Sequence, residues 1–509
     1  MKSSNYFGLV LLLLSIVGIG CSDITDLNDL EREKKDVEIA IPLINTQFRL
    51  SDFVDNEDIG DNVSIKIDAQ DRVTIVYNGD VVKQTKEVIF PSIPYFPVLL
   101  SDTLFSVPVP FATDQKIDFA IFGPTNLLFK FISQFEENVK VEITIPQLSL
   151  DGEIFSYSVH IPYEGTSPIE FTTDSISIEG WKLESSTNKI TINYDARLPN
   201  GDRVRFNGAG LIFSPVSFDY VEGYFGNDVF DINGDFIPVG YLSNWKSGGL
   251  SFVDPKINIY VENSFGFPVR SIFNKMQIET TIGEVVVMES DIINTNVDFN
   301  YPKLNEVGQS KITEFSFTKE NSNIVELFKE KVSKVTYDID ALANPDGDDS
   351  IIGFVDEEGY FLVHVDVELP LHGTVNNLVL QDTIDLDFSE FNDILSAEFK
   401  NVITNDFPAD ITLQGYVIDQ SNTIIDSLFE GGFILPSAMI DSNGKSIPAE
   451  EVVTFEDYNN ERFSNLKNGK RILMTIKINT GQASSSPLWI YNNYGVKLKI
   501  GAKMVTSNK

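Results

Sequence analysis

The chain has little of what enzymes and nucleic-acid-binding proteins commonly use. Its 509 residues contain one cysteine and three histidines, and 38 Lys and Arg residues are set against 75 Asp and Glu residues, for a formal net charge of −37. Because binding to phosphates requires clustered Lys and Arg, we expect no nucleic acid partner. The same charge argues against electrostatic adhesion of the body to an anionic membrane. A single cysteine allows no intrachain disulfide, so packing and strand pairing must supply the stability.

Motifs of catalysis are missing as well. The sequence has no G-x-S-x-G nucleophile motif, no G-x-x-x-x-G-K-[ST] phosphate loop and no G-x-G-x-x-G after a strand-like segment. Its histidines, His160, His364 and His372, do not follow a metal-ligand spacing. We therefore predict that the protein is not an enzyme and has no catalytic residue. Paired carboxylates for glycoside hydrolysis are the alternative, because that chemistry depends on a separation that sequence does not give.

Apolar runs long enough to span a membrane are also absent, and the one strongly hydrophobic run lies near the N terminus. Lys2 precedes it, it extends from Phe7 to Ile19, and Gly20 and Cys21 follow. A spanning helix needs roughly 20 apolar residues, so this shorter run is typical of a signal peptide. The arrangement resembles bacterial lipoprotein precursors. The resemblance implies removal of residues 1–20 and acylation of Cys21, the lipidation site, with palmitate-type chains.

An acidic segment, residues 21–36, follows the predicted cleavage point. It contains Asp23, Asp26 and Asp29 and two further glutamates before Lys34. This composition resembles the surface-export signal of Bacteroidota lipoproteins, and a plain solvated tether is the alternative. The resemblance implies a protein that is anchored in the outer membrane by lipid and exposed at the cell surface. Such an anchor is firm because each buried methylene contributes roughly 0.8 kcal/mol.

Apolar and polar residues alternate with a period of two along most of the remaining chain. The segment Val139–Ile145 is one example, and Val496–Met504 is another, with Lys497, Lys499 and Lys503 on its other face. This pattern predicts antiparallel strands with one face exposed to water.

Turn and helix signals are unevenly distributed. Asn78-Gly79 and Pro199–Asp202 are predicted as turns, because Asn and Gly tolerate positive φ and Pro fixes φ. Helix signals are rare, and Asn323–Lys334 is the best candidate, with Asn323 as its N-cap. The segment Phe122–Phe135 fits either a short buried helix or an apolar strand.

Two stretches resemble copies of one unit. Lys256–Pro268 is strand-like, contains Asn263 and ends in Phe-Pro, and Glu398–Pro408 repeats this order with Asn405. The layout of strand, Asn, Pro and strand resembles β-sandwich modules of the late-embryogenesis-abundant (LEA) type and of Bacteroidota surface proteins. A coincidence of common strand and turn residues is the alternative.

These patterns predict an all-β protein built from tandem antiparallel β-sandwich domains of Ig-like or LEA-like type, with at most one or two short helices. The length suggests about three domains after the tether. We place them at residues 37–135, 136–310 and 311–509, and the third contains the short helix.

Acidic clusters are the only candidate metal sites, and we otherwise expect no metal and no cofactor. Each cluster offers several hard oxygen atoms to Ca²⁺, but none completes an EF-hand loop. Turn formation is the alternative role of these residues. The calcium candidates are Asp346, Asp348, Asp349, Asp231, Asn233 and Asp235.

The segment Ile89–Phe111 combines large apolar residues with five prolines, which prevent a regular central strand. Contiguous exposed apolar area marks interaction sites, so the segment is a candidate partner-binding surface. An extended segment packed along a sandwich edge is the alternative. The partner-binding candidates are Phe90, Tyr95, Phe96, Leu99 and Phe105.

We therefore expect a lipid-anchored protein of the outer membrane and cell surface. It would act as a non-enzymatic binding or accessory subunit of an outer-membrane protein complex, with an outer-membrane protein as its partner. The alternatives are a glycan-binding lipoprotein of a polysaccharide uptake system and a lipid-binding β protein. Trp181, Trp245 and Trp489 are candidate stacking platforms for a glycan, although core packing is the commoner role of such rings.

Overall fold

The computed structural model describes residues 37–49, 62–100, 103–108, 114–185, 187–230, 235–238, 245–385, 394–442, 445–447, 451–480 and 487–506. Within these ranges the chain forms 38 strands in seven sheets. The strands pair antiparallel, which confirms the predicted all-β class. Strands are numbered in chain order as β1–β38. No helix in these ranges is long and apolar enough to cross a membrane.

Three α-helices occur in the described residues, one more than expected. They are short, and two 3-10 turns, Lys86–Val88 and Leu304–Glu306, accompany them. The helices are α1 (Asp291–Thr295), α2 (Ile324–Leu327) and α3 (Asn460–Asn468).

Two sheets that face each other form the first sandwich. Phe129 of the smaller sheet stacks on Tyr157 of the larger one with ring centroids 6.3 Å apart, and Phe131 meets Tyr194 at 6.1 Å. The smaller sheet consists, in order, of β10 (Ile169–Thr172), β7 (Asn126–Ser133), β15 (Gly208–Phe213) and β4 (Phe96–Leu99), with β11 (Ile176–Ser177) beside β7. The larger sheet consists of β14 (Arg203–Val204), β13 (Lys189–Arg197), β8 (Val139–Leu150), β12 (Lys182–Glu184), β6 (Lys116–Phe122), β16 (Phe218–Tyr224) and β26 (Gly353–Asp356), with β5 (Leu104–Pro108) beside β13 and β9 (Glu153–Ile161) beside β8.

The second sandwich has the same layered construction. Phe273 and Phe315 meet across it with centroids 6.3 Å apart, as do Phe299 and Phe361 at 5.3 Å. One sheet consists of β17 (Val229–Phe230), β25 (Val332–Ala343), β21 (Val269–Thr280) and β22 (Val285–Val287), with β18 (Asp235–Pro238) beside β25 and β23 (Asp298–Phe299) beside β21. The other consists of β2 (Val63–Ile67), β3 (Val73–Thr85), β27 (Tyr360–Pro370), β20 (Lys256–Asn263) and β24 (Lys311–Phe317).

The third sandwich contains the first and last strands of the described chain. Val417 of one sheet shares an apolar cluster with Tyr458 and Met504 of the other, and α3 adds the buried side chains of Phe463 and Leu466. One sheet consists of β1 (Val37–Arg49), β38 (Gly495–Thr506), β29 (Ile394–Asn405) and β35 (Val452–Tyr458). The other consists of β19 (Trp245–Phe252), β28 (His372–Asp385), β36 (Arg471–Asn479), β30 (Asp410–Ile418) and β31 (Ile424–Ser427), with β32 (Phe433–Leu435) beside β30 and β37 (Leu488–Trp489) beside β28. A small hairpin joins β33 (Met439–Ile440) and β34 (Ser446–Ile447).

Strand β8 shows why alternation produces these layers. Val139, Val141 and Ile143 are completely buried, whereas Lys140 and Glu142 between them are exposed and form an ion pair at 2.7 Å. Each buried aliphatic side chain contributes roughly 1.5–3 kcal/mol, whereas an exposed ion pair contributes roughly 0–1 kcal/mol. Burial of the apolar side chains therefore determines which side of β8 points into the core.

One predicted turn needs correction. Asn78-Gly79 is not a turn, because β3 continues through it and pairs with β27, Asn78 opposite Asp366 and Gly79 opposite Val365. The hairpin between β2 and β3 turns earlier, where Oδ1 of Asp68 accepts the backbone N–H groups of Gln70 and Arg72.

The other local predictions have mixed outcomes. The predicted helix does follow Asn323, but it ends at Leu327 because Val332 already begins β25. The segment Phe122–Phe135 contains the end of β6 and the whole of β7, so it is strand and not helix. The turn at Pro199–Asp202 is confirmed, with Gly201 at φ 90°.

The two predicted copies share a buried asparagine at the end of a strand. Oδ1 of Asn263 accepts the N–H of Phe265 at 3.0 Å, and Oδ1 of Asn405 accepts the N–H of Phe407 at 2.9 Å. Each asparagine also donates through Nδ2 to backbone carbonyl groups. Each lies where the chain leaves one sheet and enters the facing sheet of the same sandwich. The resemblance to LEA modules stays a prediction.

Both neighbouring sandwiches contact the second sandwich. On one side the N–H of Gly266 donates to the carbonyl of Phe354 in β26 at 2.8 Å, and Phe267 stacks on Phe225 with centroids 4.7 Å apart. On the other side the N–H of Val73 donates to the carbonyl of Ile490 at 3.1 Å. The expected domain boundaries stay a prediction, since strand pairing does not by itself define a folding unit.

Candidate partner-binding surface

The proline-rich segment lies along one edge of the first sandwich. Its first part, β4, is the edge strand of the smaller sheet, and its second part, β5, pairs with β13 of the larger sheet. Pro97 is tolerated in β4 because an edge strand leaves one side of its backbone without a partner strand. The segment therefore passes from one sheet of the sandwich to the other.

The structure separates the five partner-binding candidates into two groups. Phe90 packs edge-on against Phe225 at 5.5 Å, Phe96 lies 5.9 Å from Phe213, and Phe105 is partly buried against the core. Tyr95 and Leu99, in contrast, are 55% and 74% exposed. The outward-facing part of the set is therefore Tyr95 and Leu99.

Leu99 belongs to a wider face on the outer side of the smaller sheet, where apolar side chains lie beside two glycines and the exposed Lys130. Across this face Leu99 lies opposite Gly210, and Ile132, which is 40% exposed, lies opposite Gly208. The two glycines have no side chains, so the sheet between Leu99 and Ile132 is a shallow floor. We call Tyr95, Pro97, Leu99 and Ile132 the Leu99 surface, which sequence reasoning found only in part because the contribution of Ile132 depends on strand register.

The calcium candidates of the loop after β25 are not brought together. Asp346 lies 3.6 Å from Arg270, Asp349 pairs with Lys116, and Oδ1 of Asp348 accepts from the backbone N–H and hydroxyl of Ser350. The three carboxylates thus have three separate sets of partners. Across the ranges that the structure describes, no group of three His, Cys, Asp or Glu residues could hold a metal ion.

Several predicted site residues lie outside the described ranges. Cys21, Asp231 and Asn233 are among them. Asp235 begins β18, but its side chain is not described.

The histidines have separate environments. His160 is exposed on β9. On the outer face of β27, Nδ1 of His364 lies 2.7 Å from Asp80, and Nε2 lies 3.2 Å from Asp366. Carboxylates thus hold both ring nitrogens of His364, and the arrangement lacks the hydroxyl or thiol nucleophile that a catalytic triad would place beside one of them.

The third histidine borders an apolar cavity that sequence reasoning missed. His372 begins β28, at the contact between the second and third sandwiches, and its ring stacks on Trp489. Burial lowers the pKa of His372, and the nearby cation of Arg72 acts in the same direction. The cavity has a volume of about 90 Å³, and residues from both sandwiches line it, among them Ile75, Phe252, Leu371, Leu378, Phe407 and Leu488.

The tryptophans do not provide an open platform for a glycan where their side chains are described. Trp181 packs edge-on against Phe155 at 5.3 Å. Trp489 contacts the ring of His372 and the guanidinium of Arg72. The side chain of Trp245 lies outside the described residues. The glycan-binding alternative therefore gains no support from these rings.

Comparisons with known proteins found similarity among solved structures but none among family models or curated sequences. Among solved structures, a protein of Parabacteroides distasonis described as secreted is 12% identical, covers 55% of this chain and 83% of its own, and has a TM-score of 0.26. A structure of infectious bursal disease virus, Gt strain, is 8% identical with a TM-score of 0.16 and covers 95% of this chain and 84% of its own. Likenesses at such TM-scores carry no conclusion about function.

Proposed function

We propose that the chain is a lipid-anchored protein of the outer membrane and cell surface. In this proposal Cys21 carries the lipid, and the body is a non-enzymatic binding or accessory subunit for an outer-membrane protein. The observation that carries the proposal is the Leu99 surface, where Leu99 is 74% exposed beside the exposed Tyr95. Exposed apolar area that adjoins an edge strand marks a surface that gains free energy when a partner covers it.

The way the sandwiches are connected supports the proposal that the Leu99 surface is accessible to a partner. The predicted tether leads into β1, which belongs to the third sandwich, whereas the Leu99 surface belongs to the first. The first sandwich is attached to the second through β26 and the Phe225–Phe267 stack, and the second is attached to the third. A partner of the Leu99 surface would thus bind at a different sandwich from the one that the anchor enters.

Site-specific photo-crosslinking in the native cell tests the partner. A photoreactive residue at position 99 should form an adduct with an integral outer-membrane protein. Ile282, in the hairpin between β21 and β22, offers a matched control because it is also 74% exposed. The same probe at position 282 should give no such adduct. Failure at position 99, or identical adducts at both positions, contradicts the proposal.

Two substitutions that introduce a charge test the role of the Leu99 surface in a second way. Leu99→Asp should reduce recovery of the complex at least about tenfold, the effect of losing an interface contact that contributes 1.4 kcal/mol or more. Ile282→Asp should leave recovery unchanged.

The lipid anchor needs its own test. Cys21→Ala should reduce the share of the protein that stays in the membrane fraction, and mass spectrometry of the wild type should find acyl chains on residue 21. An unmodified residue 21 in the wild type would contradict the anchor, whatever the result at position 99.

A further inference from the structure

The outer face of the β1–β38–β29–β35 sheet reverses the charge balance of the chain. Exposed lysines on this face outnumber exposed carboxylates, whereas acidic residues outnumber basic ones 75 to 38 in the whole sequence. Among the side chains that the structure describes on this face, the exposed carboxylates are Glu398 and Asp457. The lysines are Lys400, Lys497, Lys499 and Lys503.

Strand register brings these lysines together. Lys497, Lys499 and Lys503 point outward from β38, and Gly501 interrupts the series. Lys400 of β29 lies directly opposite Gly501, so Lys499 and Lys503 are its diagonal neighbours. Diagonal neighbours on one face of a sheet are roughly 7–8 Å apart, within reach of long side chains. The lysines therefore form one continuous basic patch.

Apolar side chains continue the patch at the sheet edge. Phe455 and Val453 on β35 are 60% and 46% exposed, whereas Glu456 and Tyr458 of the same strand are buried. The ammonium of Lys400 lies 5.9 Å from the centre of the Phe455 ring. An exposed aromatic ring beside lysines is the combination that enters the boundary between lipid headgroups and acyl chains.

We infer that this lysine–Phe455 face docks on a lipid surface that carries anionic headgroups. Charge complementarity is the first argument, because the Debye length is about 8 Å at physiological ionic strength. Headgroups therefore respond to the face in front of them, and the negative charge of the more distant sandwiches is screened. The net charge of the whole chain, which by itself argues against adhesion to an anionic membrane, thus does not decide the interaction of this one face. Two of the lysines have an acidic neighbour: Asp406 lies 3.0 Å from the ammonium of Lys497, and Glu398 lies opposite Lys503 in the strand register.

The path of the chain is the second argument, and this part rests on the proposed lipid anchor. The strand β1 is the edge strand of this same sheet and begins at Val37. The residues between Cys21 and Val37 can span at most about 55 Å when fully extended. An acyl chain on Cys21 would therefore hold the lipid surface within reach of the face. The anchor and the face together supply the two signals that stable attachment requires.

Vesicle binding tests the face without the anchor. The mature chain with Cys21→Ser, which has no acyl group, is mixed with phosphatidylcholine vesicles that contain about 30% phosphatidylglycerol or none. We expect at least about tenfold tighter binding to the anionic vesicles and loss of that preference at about 0.5 M salt. Equal binding to both vesicles, or binding to neither, overturns the inference.

Matched variants locate the binding surface. Combined Lys400→Gln, Lys499→Gln and Lys503→Gln should weaken vesicle binding at least tenfold. The control combines Lys130→Gln, Lys182→Gln and Lys189→Gln, three exposed lysines of the first sandwich, and should change it less than twofold. Equal effects of the two sets overturn the inference. Circular dichroism confirms that both variants retain strand content.

Two further measurements separate a lipid surface from other polyanions. Phe455→Ser should weaken vesicle binding severalfold without changing its salt dependence. Heparin that binds as tightly as anionic vesicles, with no effect of Phe455→Ser, overturns lipid docking in favour of a soluble polyanion. Because the protein used has no acyl group, these outcomes are independent of whether Cys21 is lipidated in the cell.

Discussion

The imidazole of His372 lies flat on the indole of Trp489, with ring centroids 4.2 Å apart and planes inclined by 4°. The guanidinium of Arg72 lies 4.5 Å from the centre of the same indole. Arg72 precedes β3 of the second sandwich, whereas β28 and β37 belong to the third. The stack therefore joins two sandwiches, and its stability depends on the charge of His372.

This contact predicts that the protein loses stability as the pH decreases. Burial lowers the pKa of His372, Arg72 and Lys319 lower it further, and Asp254 opposes them from 3.9 Å. Below the ordinary histidine pKa of about 6.5 the unfolded chain binds a proton that the folded chain does not. Stability is therefore fully present above about pH 6.5 and decreases as pH falls through that value toward the lower folded pKa.

The measurement is the urea midpoint at pH 7.5 and pH 5.5, followed by tryptophan fluorescence. His372→Phe keeps an aromatic ring on Trp489 but cannot titrate, so it should show a smaller loss between the two pH values. His160→Gln, at an exposed position, should keep the loss of the wild type. Equal losses in the wild type and His372→Phe would contradict the assignment.

A second prediction concerns the contact between the first and second sandwiches. A Cβ at Gly266 would lie 2.1 Å from the ring of Phe354, a residue of β26. Gly266→Ala should therefore lower the free energy of unfolding by about 1–3 kcal/mol, the typical cost of overpacking. Gly210→Ala is the control, since its nearest neighbour would be the carbonyl of Val98 at 3.4 Å, an ordinary contact. Hydrogen exchange in β16 and β26 should increase in Gly266→Ala alone, and unchanged exchange would contradict the prediction.

The sequence predicted individual strands better than it predicted which strands pair. Alternation identified β8 and the outward lysines of β38, because burial of one strand face is a local pattern. It failed at Asn78-Gly79, where pairing with β27 continues β3 through residues that favour a turn. That pairing joins residues 73–85 to residues 360–370, and no local pattern encodes it.

The candidate sites show the same limit. The apolar content of the proline-rich segment was visible in the sequence, but only the packing of Phe90 on Phe225 and Phe96 on Phe213 shows which side chains face inward. Leu99 is exposed because it lies on the outer face of an edge strand. The His372–Trp489 stack combines residues that are far apart in the sequence, and neither residue carries a distinguishing motif.

A third prediction tests whether the two predicted copies are equivalent units. Asn405→Ala would leave the N–H of Phe407 and the carbonyls of Ala409 and Pro436 without their partner. Buried groups left unpaired cost about 1–3 kcal/mol each, so we expect the three groups together to lower the free energy of unfolding by at least about 3 kcal/mol. Asn263→Ala should cost a similar amount, whereas Asn45→Ala, at an exposed position of β1, should be nearly neutral. A large loss at only one of the two buried asparagines would argue against a shared unit.

A fourth prediction concerns Arg462, which attaches α3 to the third sandwich. Its guanidinium lies 4.2 Å from the Tyr458 ring, and its Nη atoms donate to the carbonyls of Asp457 at 3.0 Å and Ser427 at 2.8 Å. A lysine cannot stack as a plane and donate in two fixed directions at once. We therefore expect Arg462→Lys to lower the free energy of unfolding by about 1–2 kcal/mol, because a lysine keeps a cation near the ring but loses part of the contact with it and one hydrogen bond.

Removing the positive charge at position 462 should lower the free energy of unfolding more than replacing Arg462 with lysine does. Arg462→Ala would leave the carboxylate of Asp426, only 13% exposed, without the cation 3.6 Å away, and we expect a loss of about 3–5 kcal/mol. Arg197 is the control because it pairs with Asp195 but is 47% exposed, so Arg197→Lys should change stability by less than about 0.5 kcal/mol. Hydrogen exchange of residues 460–468 should rise in the order wild type, Arg462→Lys, Arg462→Ala. If Arg462→Lys and Arg197→Lys have equal effects, the planar stack on Tyr458 is not what holds this helix.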